Sequence, residues 1–224
     1  MRIISGKYKG RRISPPKNLP VRPTTDMCKE ALFNILNNNF NFSELRVLDL
    51  FAGTGSISYE FASRGCTPIT SVDGDMGCVN FIKKTTKEFD FDITPIKSDV
   101  FAFLEKNKAS YDIIFADPPY GMEQKDFEKI ITLVFENGLL EDDGMMVIEH
   151  SKYTKLEHME NFSYDKGYGG SVFTFFELEH DEEETGDEDD ENETVVSPER
   201  FAAFIRADID KWTKVIKAAN VQVD

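Results

Sequence analysis

Cysteine, histidine and long apolar runs are scarce in this sequence, and each scarcity removes a class of protein. The three cysteines, Cys28, Cys66 and Cys78, have neither metal nor redox spacing. Their odd number excludes a closed internal disulfide set, so idle or buried thiols in a reducing compartment are expected. His150, His158 and His180 make no cluster with acids or cysteines at ligand spacing, and no metal is expected. No stretch reaches the apolar length that crosses a bilayer, and Met1 is followed by Arg2-Ile3-Ile4-Ser5-Gly6 rather than by a leader-like run. A soluble cytoplasmic chain without a membrane partner is the expectation.

Positive charge is also in short supply, with a formal net charge of −15, but the deficit is local. Twelve acids and no Lys or Arg lie between Glu177 and Glu193. Residues 1–30 carry eight Lys or Arg against Asp26 and Glu30. The chain therefore reads as a basic N-terminal arm, a mildly acidic middle and an acidic tail, and charge location bears on phosphate binding more than the global sum does.

Four segments follow from pattern and composition. In residues 1–44, Arg2-Ile3-Ile4 and Arg12-Ile13 read as short strands around a Lys7–Gly10 turn, and prolines at 15, 16, 20 and 23 keep the chain extended. A helix capped by Thr24, Thr25 or Asp26 then runs through Leu36. In residues 45–178, strands are expected at Val47–Phe51, Pro68–Val72, Ile93–Ile96, Tyr111–Ala116, Met145–Glu149, Phe162–Lys166 and Ser171–Leu178. Helices are expected between the first five, near Ile57–Ser63, Cys78–Glu88, Val100–Lys106 and Phe127–Asn137. Buried strands alternating with helices predict an α/β fold with a doubly wound, mostly parallel seven-stranded sheet. The last two strands would close it as an antiparallel hairpin, and residues 1–44 add a small hairpin-helix extension. Residues 179–196 lack apolar side chains to bury over most of their length and are expected to be a disordered acidic linker. Residues 197–224 have Phe201, Phe204, Ile205, Ile209 and Trp212 on one side of an expected amphipathic helix.

The chemistry-bearing residues fall where strands end, which is where open α/β sheets bind ligands. After the first strand, Gly53 and Gly55 in Phe51-Ala52-Gly53-Thr54-Gly55 permit a tight turn beside a helix N-terminus. Asp73 follows Gly53 by twenty residues, the interval at which an acid meets a ribose diol. Nicotinamide enzymes share that interval, but position 58 is Ser and the third glycine of their fingerprint is missing. The Phe-x-Gly-x-Gly form instead resembles the methyltransferase fingerprint, which favours S-adenosyl-L-methionine over a pyrophosphate cofactor. Asp99, after the third strand, has two readings, an acceptor for an adenine amino group or the N-cap of the next helix.

The fourth strand ends in Asp117-Pro118-Pro119-Tyr120. Two prolines hold the backbone extended and remove two N–H donors. The Asp117 carboxylate and the Pro118 carbonyl can then accept both hydrogens of an exocyclic base amine, with Tyr120 offering a ring face for stacking. Methyl transfer to such an amine is promoted mainly by positioning. Lys7, Lys9, Arg11, Arg12 and Arg22 supply a basic set that suits phosphates.

The segments Arg2-Ile3-Ile4-Ser5-Gly6, Lys9-Gly10-Arg11, Arg22-Pro23-Thr24-Thr25-Asp26 and Glu30-Ala31-Leu32-Phe33-Asn34 resemble the N-terminal signature of the bacterial RsmD family. Asp49–Gly55 and Asp117–Tyr120 continue the likeness, which spans about residues 1–178. The family comprises 16S rRNA (guanine-N2)-methyltransferases of the class I, Rossmann-like fold. The resemblance implies methylation of the N2 amine of one guanine in 16S rRNA of the small subunit or its late assembly intermediate, by a monomer. It implies a catalytic set of Asp117, Pro118, Pro119 and Tyr120. It implies a cofactor set of Asp49, Phe51, Gly53, Gly55, Asp73, Asp99 and Val100, and an RNA grip in the N-terminal arm. The second strand ends in Asp73 where the family usually carries Glu, and the tail beyond Leu178 is foreign to it. Residues 197–220 are similar to the terminal helix of tricarboxylate-transporter periplasmic binding proteins. An N6-adenine methyltransferase shares the Asp-Pro-Pro-Tyr logic, and a non-catalytic docking module of the same fold is the rival from another class.

Overall fold

The computed structural model describes residues 1–16, 19 and 25–178. The chain divides into two compact units, Met1–His180 and Asp181–Asp224. The expected acidic linker and terminal helix lie outside the described residues, as does Arg22.

The seven strands are β1 (Val47–Leu50), β2 (Ile69–Asp73), β3 (Ile93–Lys97), β4 (Tyr111–Ala116), β5 (Leu140–Ser151), β6 (Phe162–Tyr168) and β7 (Ser171–Phe176), in the order β3-β2-β1-β4-β5-β7-β6. The first five pair in parallel, and β7 enters antiparallel between β5 and β6. This is the class I methyltransferase order. Helices α2 (Ser56–Arg64), α3 (Met76–Phe89), α4 (Val100–Lys106) and α5 (Gln124–Glu136) connect the parallel strands, and α1 (Asp26–Asn39) precedes them. Two apolar clusters cover the two faces of the sheet, as buried parallel strands require. Val47, Ile113 and Phe115 belong to one cluster and Leu48, Leu50 and Ile114 to the other. The switch between β1 and β4 places the exits of β1, β2 and β4 side by side.

Expected and observed elements differ mostly by one to three residues at their ends. Strand β5 is the exception. It begins at Leu140, because Tyr111 pairs with Leu140 before an irregularity resumes the ladder at Ile113 and Met145. The acids and glycine at 141–144 read locally as a turn, whereas tertiary pairing makes them strand. Pro95 is accommodated because β3 is an edge strand.

The N-terminal arm is built into the same core as the sheet. An antiparallel bridge joins Arg2 and Arg12, and Ile3 and Ile13 are buried with Leu32, Phe33 and Leu36 of α1. The Glu60 carboxylate in α2, fully buried, accepts the backbone N–H groups of Ile4 at 2.8 Å and Ser5 at 2.9 Å. Arg64 Nε donates to the same carboxylate at 3.0 Å, and Lys29 Nζ stands 3.8 Å from it. Lys29, 1% exposed, donates to the Arg2 carbonyl at 2.6 Å and to Ser56 Oγ at 3.4 Å. Burial lowers the pKa of this lysine and Glu60 opposes that shift. Gly6 completes the dock: its φ is +78°, and a Cβ there would lie 1.8 Å from the Ser63 carbonyl oxygen.

A buried carboxylate that serves two backbone amides and two cations destabilises the fold sharply when deleted, because its partners stay buried and unserved. Glu60→Ala is expected to reduce the unfolding free energy by roughly 3–5 kcal/mol, measured by urea titration. An unchanged midpoint would show that the arm docks by apolar contact alone.

Candidate active site at the carboxyl ends of the strands

The turn after β1 is held by two carboxylates. Asp49, buried within β1, accepts the Ser58 N–H at 3.1 Å and the Ser58 hydroxyl at 2.5 Å. Ser58 Oγ also lies 2.7 Å from Ser71 Oγ of β2. Asp49 thus anchors the first turn of α2 to the sheet. Its burial, reinforced by the nearby Asp73 charge, pushes its pKa up to about 7. At the end of β2, Asp73 Oδ2 accepts the Gly53 N–H at 2.8 Å and Oδ1 accepts the Asp75 N–H at 2.7 Å. The twenty-residue interval read in the sequence is therefore a direct contact, which shapes the turn with the same carboxylate proposed to meet a ribose.

Phe51, Gly53 and Gly55 all have positive φ, at 57°, 53° and 81°. Gly55 has a packing reason for being glycine, since a Cβ there would lie 2.7 Å from the Tyr59 ring beneath it. Gly53 lines the cavity and Gly55 does not.

That cavity has a volume of about 480 Å³, within the range of small-molecule sites. Its floor is formed by Phe51–Thr54 and Ser56, and Asp73, Gly74 and Asp75 line the exit of β2. Asp117–Tyr120 form the wall at the exit of β4. The Asp117 N–H reaches the Leu50 carbonyl at 3.4 Å, extending the β1–β4 alignment into the motif. Pro118 is buried, while Pro119 and Tyr120 face solvent. The Tyr120 hydroxyl stands 3.5 Å from Ser171 Oγ.

Several lining residues carried no functional reading in the sequence. Glu149, near the end of β5, borders this cavity and a smaller cleft behind Asp117. Its signal was an acid closing an otherwise apolar strand, the same signal that marked Asp73 and Asp117. Thr25, Met27 and Cys28 from the start of α1, with Tyr168–Ser171 from the β6–β7 turn, complete the rim. Thr25 is also the N-cap of α1, accepting the Cys28 N–H at 3.2 Å. All three cysteines are buried and free, and burial lifts the Cys66 and Cys78 thiols to about 12.

Not every proposed site residue gathers here. Asp99 accepts the Ala102 N–H at 3.0 Å as the N-cap of α4, and Val100 is buried beneath it. Neither lines the cavity, and the contact shown for Asp99 is the cap bond through Oδ1. Asp49 also lies behind the lining, its carboxylate occupied by Ser58. Lys7, Lys9, Arg11 and Arg12 are exposed on the arm. Among the described residues, no group of three or more His, Cys, Asp or Glu is placed to hold a metal ion, and no helix is long and apolar enough to cross a membrane.

The family described as Conserved hypothetical protein 95 matches residues 1–177. The chain belongs to this family. The RsmD likeness is thereby a family relationship. Ribosomal RNA small subunit methyltransferase D of Haemophilus influenzae is 33% identical over 168 residues, spanning 73% of this chain and 85% of that relative. The Escherichia coli K12 protein of the same name is 31% identical over 150 residues, spanning 66% and 74%. Among solved structures, the Escherichia coli yhhF structure is 28% identical with a TM-score of 0.69, covering 79% of this chain and 96% of that one. A hypothetical protein of Thermus thermophilus matches at 26% identity and a TM-score of 0.69, over 80% and 99%.

Asp49 gives the site a pH signature. Its folded pKa of about 7 exceeds the ordinary 3.8, so the folded state holds a proton that the unfolded state releases. This contribution is fully present below pH 3.8 and is lost as pH rises towards 7. Asp49→Asn keeps the acceptor for Ser58 without the charge. Its stability relative to the parent is expected to rise across that window by about 4 kcal/mol, read from urea midpoints at successive pH values. A pH-independent difference would show that Asp49 is already ionised in the fold.

Proposed function

We propose that this protein transfers a methyl group from S-adenosyl-L-methionine to the exocyclic N2 amine of a guanine in 16S rRNA. The observation that carries the reading is the charge of the cavity beside Asp117–Tyr120. Asp73, Asp75, Asp117 and Glu149 line it, and among the described residues no Lys or Arg does. Such a site suits a cationic sulfonium and a hydrogen-donating amine, whereas a dinucleotide pyrophosphate would be repelled. Membership in the family and the names of the relatives support rRNA as the substrate.

S-adenosyl-L-methionine, when bound, supplies an electrophilic methyl group. The residues of this chain do the positioning. Phe51–Thr54, in the turn after β1, would hold the cofactor, and Asp73 would offer carboxylate oxygens to its ribose. The Asp117 carboxylate and the Pro118 carbonyl accept the two amine hydrogens, which orients the nitrogen lone pair towards the methyl. Tyr120 stacks on the base. Alignment of this kind lowers the barrier without a strong base, since the amine loses its proton after the methyl arrives. Lys7, Lys9, Arg11 and Arg12, together with Arg22, would hold RNA phosphates. The small subunit or its late assembly intermediate as substrate, a monomeric enzyme and a cytoplasmic location complete the proposal.

An N6-adenine methyltransferase would use the same motif, but it reads bases in a duplex with a target-recognition domain. The arm here is a short hairpin packed into the core. Incubation with labelled cofactor and either undermodified small subunits or DNA separates the two. Label is expected in N2-methylguanine; label only in adenine would overturn the assignment. Asp117→Ala is expected to lower kcat at least about a hundredfold with little change in cofactor affinity, and full turnover would remove the mechanism. Charge reversal at Arg11 and Arg12 should flatten the dependence of log K on log salt by roughly 0.7–0.9 for each phosphate that is no longer neutralised. An unchanged slope would place the RNA grip elsewhere.

A further inference from the structure

Beyond β5 the chain makes a turn through Ser151–Lys155 whose most prominent side chain points away from the protein. Tyr153 is 81% exposed, more than Met27, Met76 or Tyr120, the other large apolar side chains left in solvent among the described residues. The exposure does not come from a loose backbone. The Thr154 N–H donates to the Ser151 carbonyl at 3.0 Å, and the Tyr153 N–H donates to Ser151 Oγ at 3.3 Å. Gln124 at the start of α5 clamps the far end: its Oε1 accepts the Lys155 N–H at 3.1 Å, and its amide donates to the Lys155 carbonyl at 2.5 Å. Lys152, also exposed, holds its ammonium 5.2 Å from the centre of the Tyr153 ring.

The position of the turn gives these side chains meaning. Ser151 and Thr154 line the smaller cleft together with Asp117, Pro118 and Tyr120. Tyr153 therefore stands between two residues of a wall that begins at the methylation motif. A base brought to Asp117 must leave its stack, and its neighbour along the strand then loses a stacking partner. A ring next to the site on a backbone-pinned turn, with a cation over it, supplies a replacement surface and a phosphate contact together.

We propose that Tyr153 and Lys152 form a subsite for the unpaired nucleotide adjoining the target guanine, the ring stacking on its base and the ammonium pairing with its phosphate. The subsite rests on the rRNA reading and assigns a second contact region, distant in sequence from the N-terminal arm. Stacking on an aromatic face tolerates any base, so this contact sets affinity for single-stranded RNA and leaves the choice of base to Asp117–Tyr120.

The test uses the full chain in two assays. With undermodified small subunits and labelled cofactor, Tyr153→Ala should raise KM about tenfold, the loss falling on KM rather than on kcat, and Tyr153→Phe should restore the parent value. With a fluorescent, unstructured RNA oligonucleotide, Tyr153→Ala should weaken binding several-fold, and Lys152→Gln should reduce the salt slope by roughly 0.7. Unchanged oligonucleotide binding in Tyr153→Ala overturns the subsite, whether or not small subunits are methylated. Failure of Tyr153→Phe to rescue overturns the stacking role. Weakened oligonucleotide binding with no labelling of small subunits by the parent protein would leave the subsite standing and overturn only the substrate assignment.

Discussion

The buried Glu60 carboxylate is the interaction on which the arrangement of the molecule depends. It accepts the amides of Ile4 and Ser5, pairs with Arg64 and faces Lys29, all with no exposure to water of its own. Those contacts give the hairpin a fixed place on α2, so the exposed Lys7, Lys9, Arg11 and Arg12 have a defined relation to the sheet. Lys29 carries the connection inward, since Ser56, which it touches, lines the main cavity. The basic arm and the cavity are two ends of one buried polar network. Such a network is stable because its donors and acceptors are satisfied together.

A second pair of carboxylates shapes the site. Asp49 ties α2 to the sheet through Ser58, and Asp73 takes the Gly53 amide, so the turn from Phe51 to Gly55 is braced from both sides. With Phe51 at positive φ, the turn needs such bracing, because a bulky residue adopts that region only when its surroundings impose it. Gly55, the N-cap of α2, leaves room for the Tyr59 ring of the same helix to pack against it, and Gly53 presents backbone to the cavity.

Most of the parallel sheet was legible in the sequence because a strand covered on both faces reads as a continuous apolar run ending in a turn or an acid. Val47–Leu50 and Tyr111–Ala116 are of that kind. The start of β5 was hidden because Glu141–Gly144 resembles a turn until Leu140 pairs with Tyr111. The site was legible where one short segment holds several functional groups, as in Asp117–Tyr120. It was obscure where distant segments converge: Met27 and Gly169–Gly170 meet at one rim, and no local pattern in either announces the other. Asp99 shows the opposite difficulty, since a strand-ending acid before a helix satisfies both a ligand pattern and a cap pattern, and a cap bond through one carboxylate oxygen is compatible with either.

The acid-lined cavity has a consequence for turnover. Under the proposed reaction the donor enters carrying a positive sulfonium and, once its methyl is gone, remains as a neutral thioether. A cavity bordered by Asp73, Asp75, Asp117 and Glu149, with no Lys or Arg among its described lining residues, holds the first more strongly than the second. The chemical step thus cancels part of the attraction that drew the donor in. Spent cofactor is exchanged for fresh on the strength of one unit of charge, with no moving part required to tell them apart.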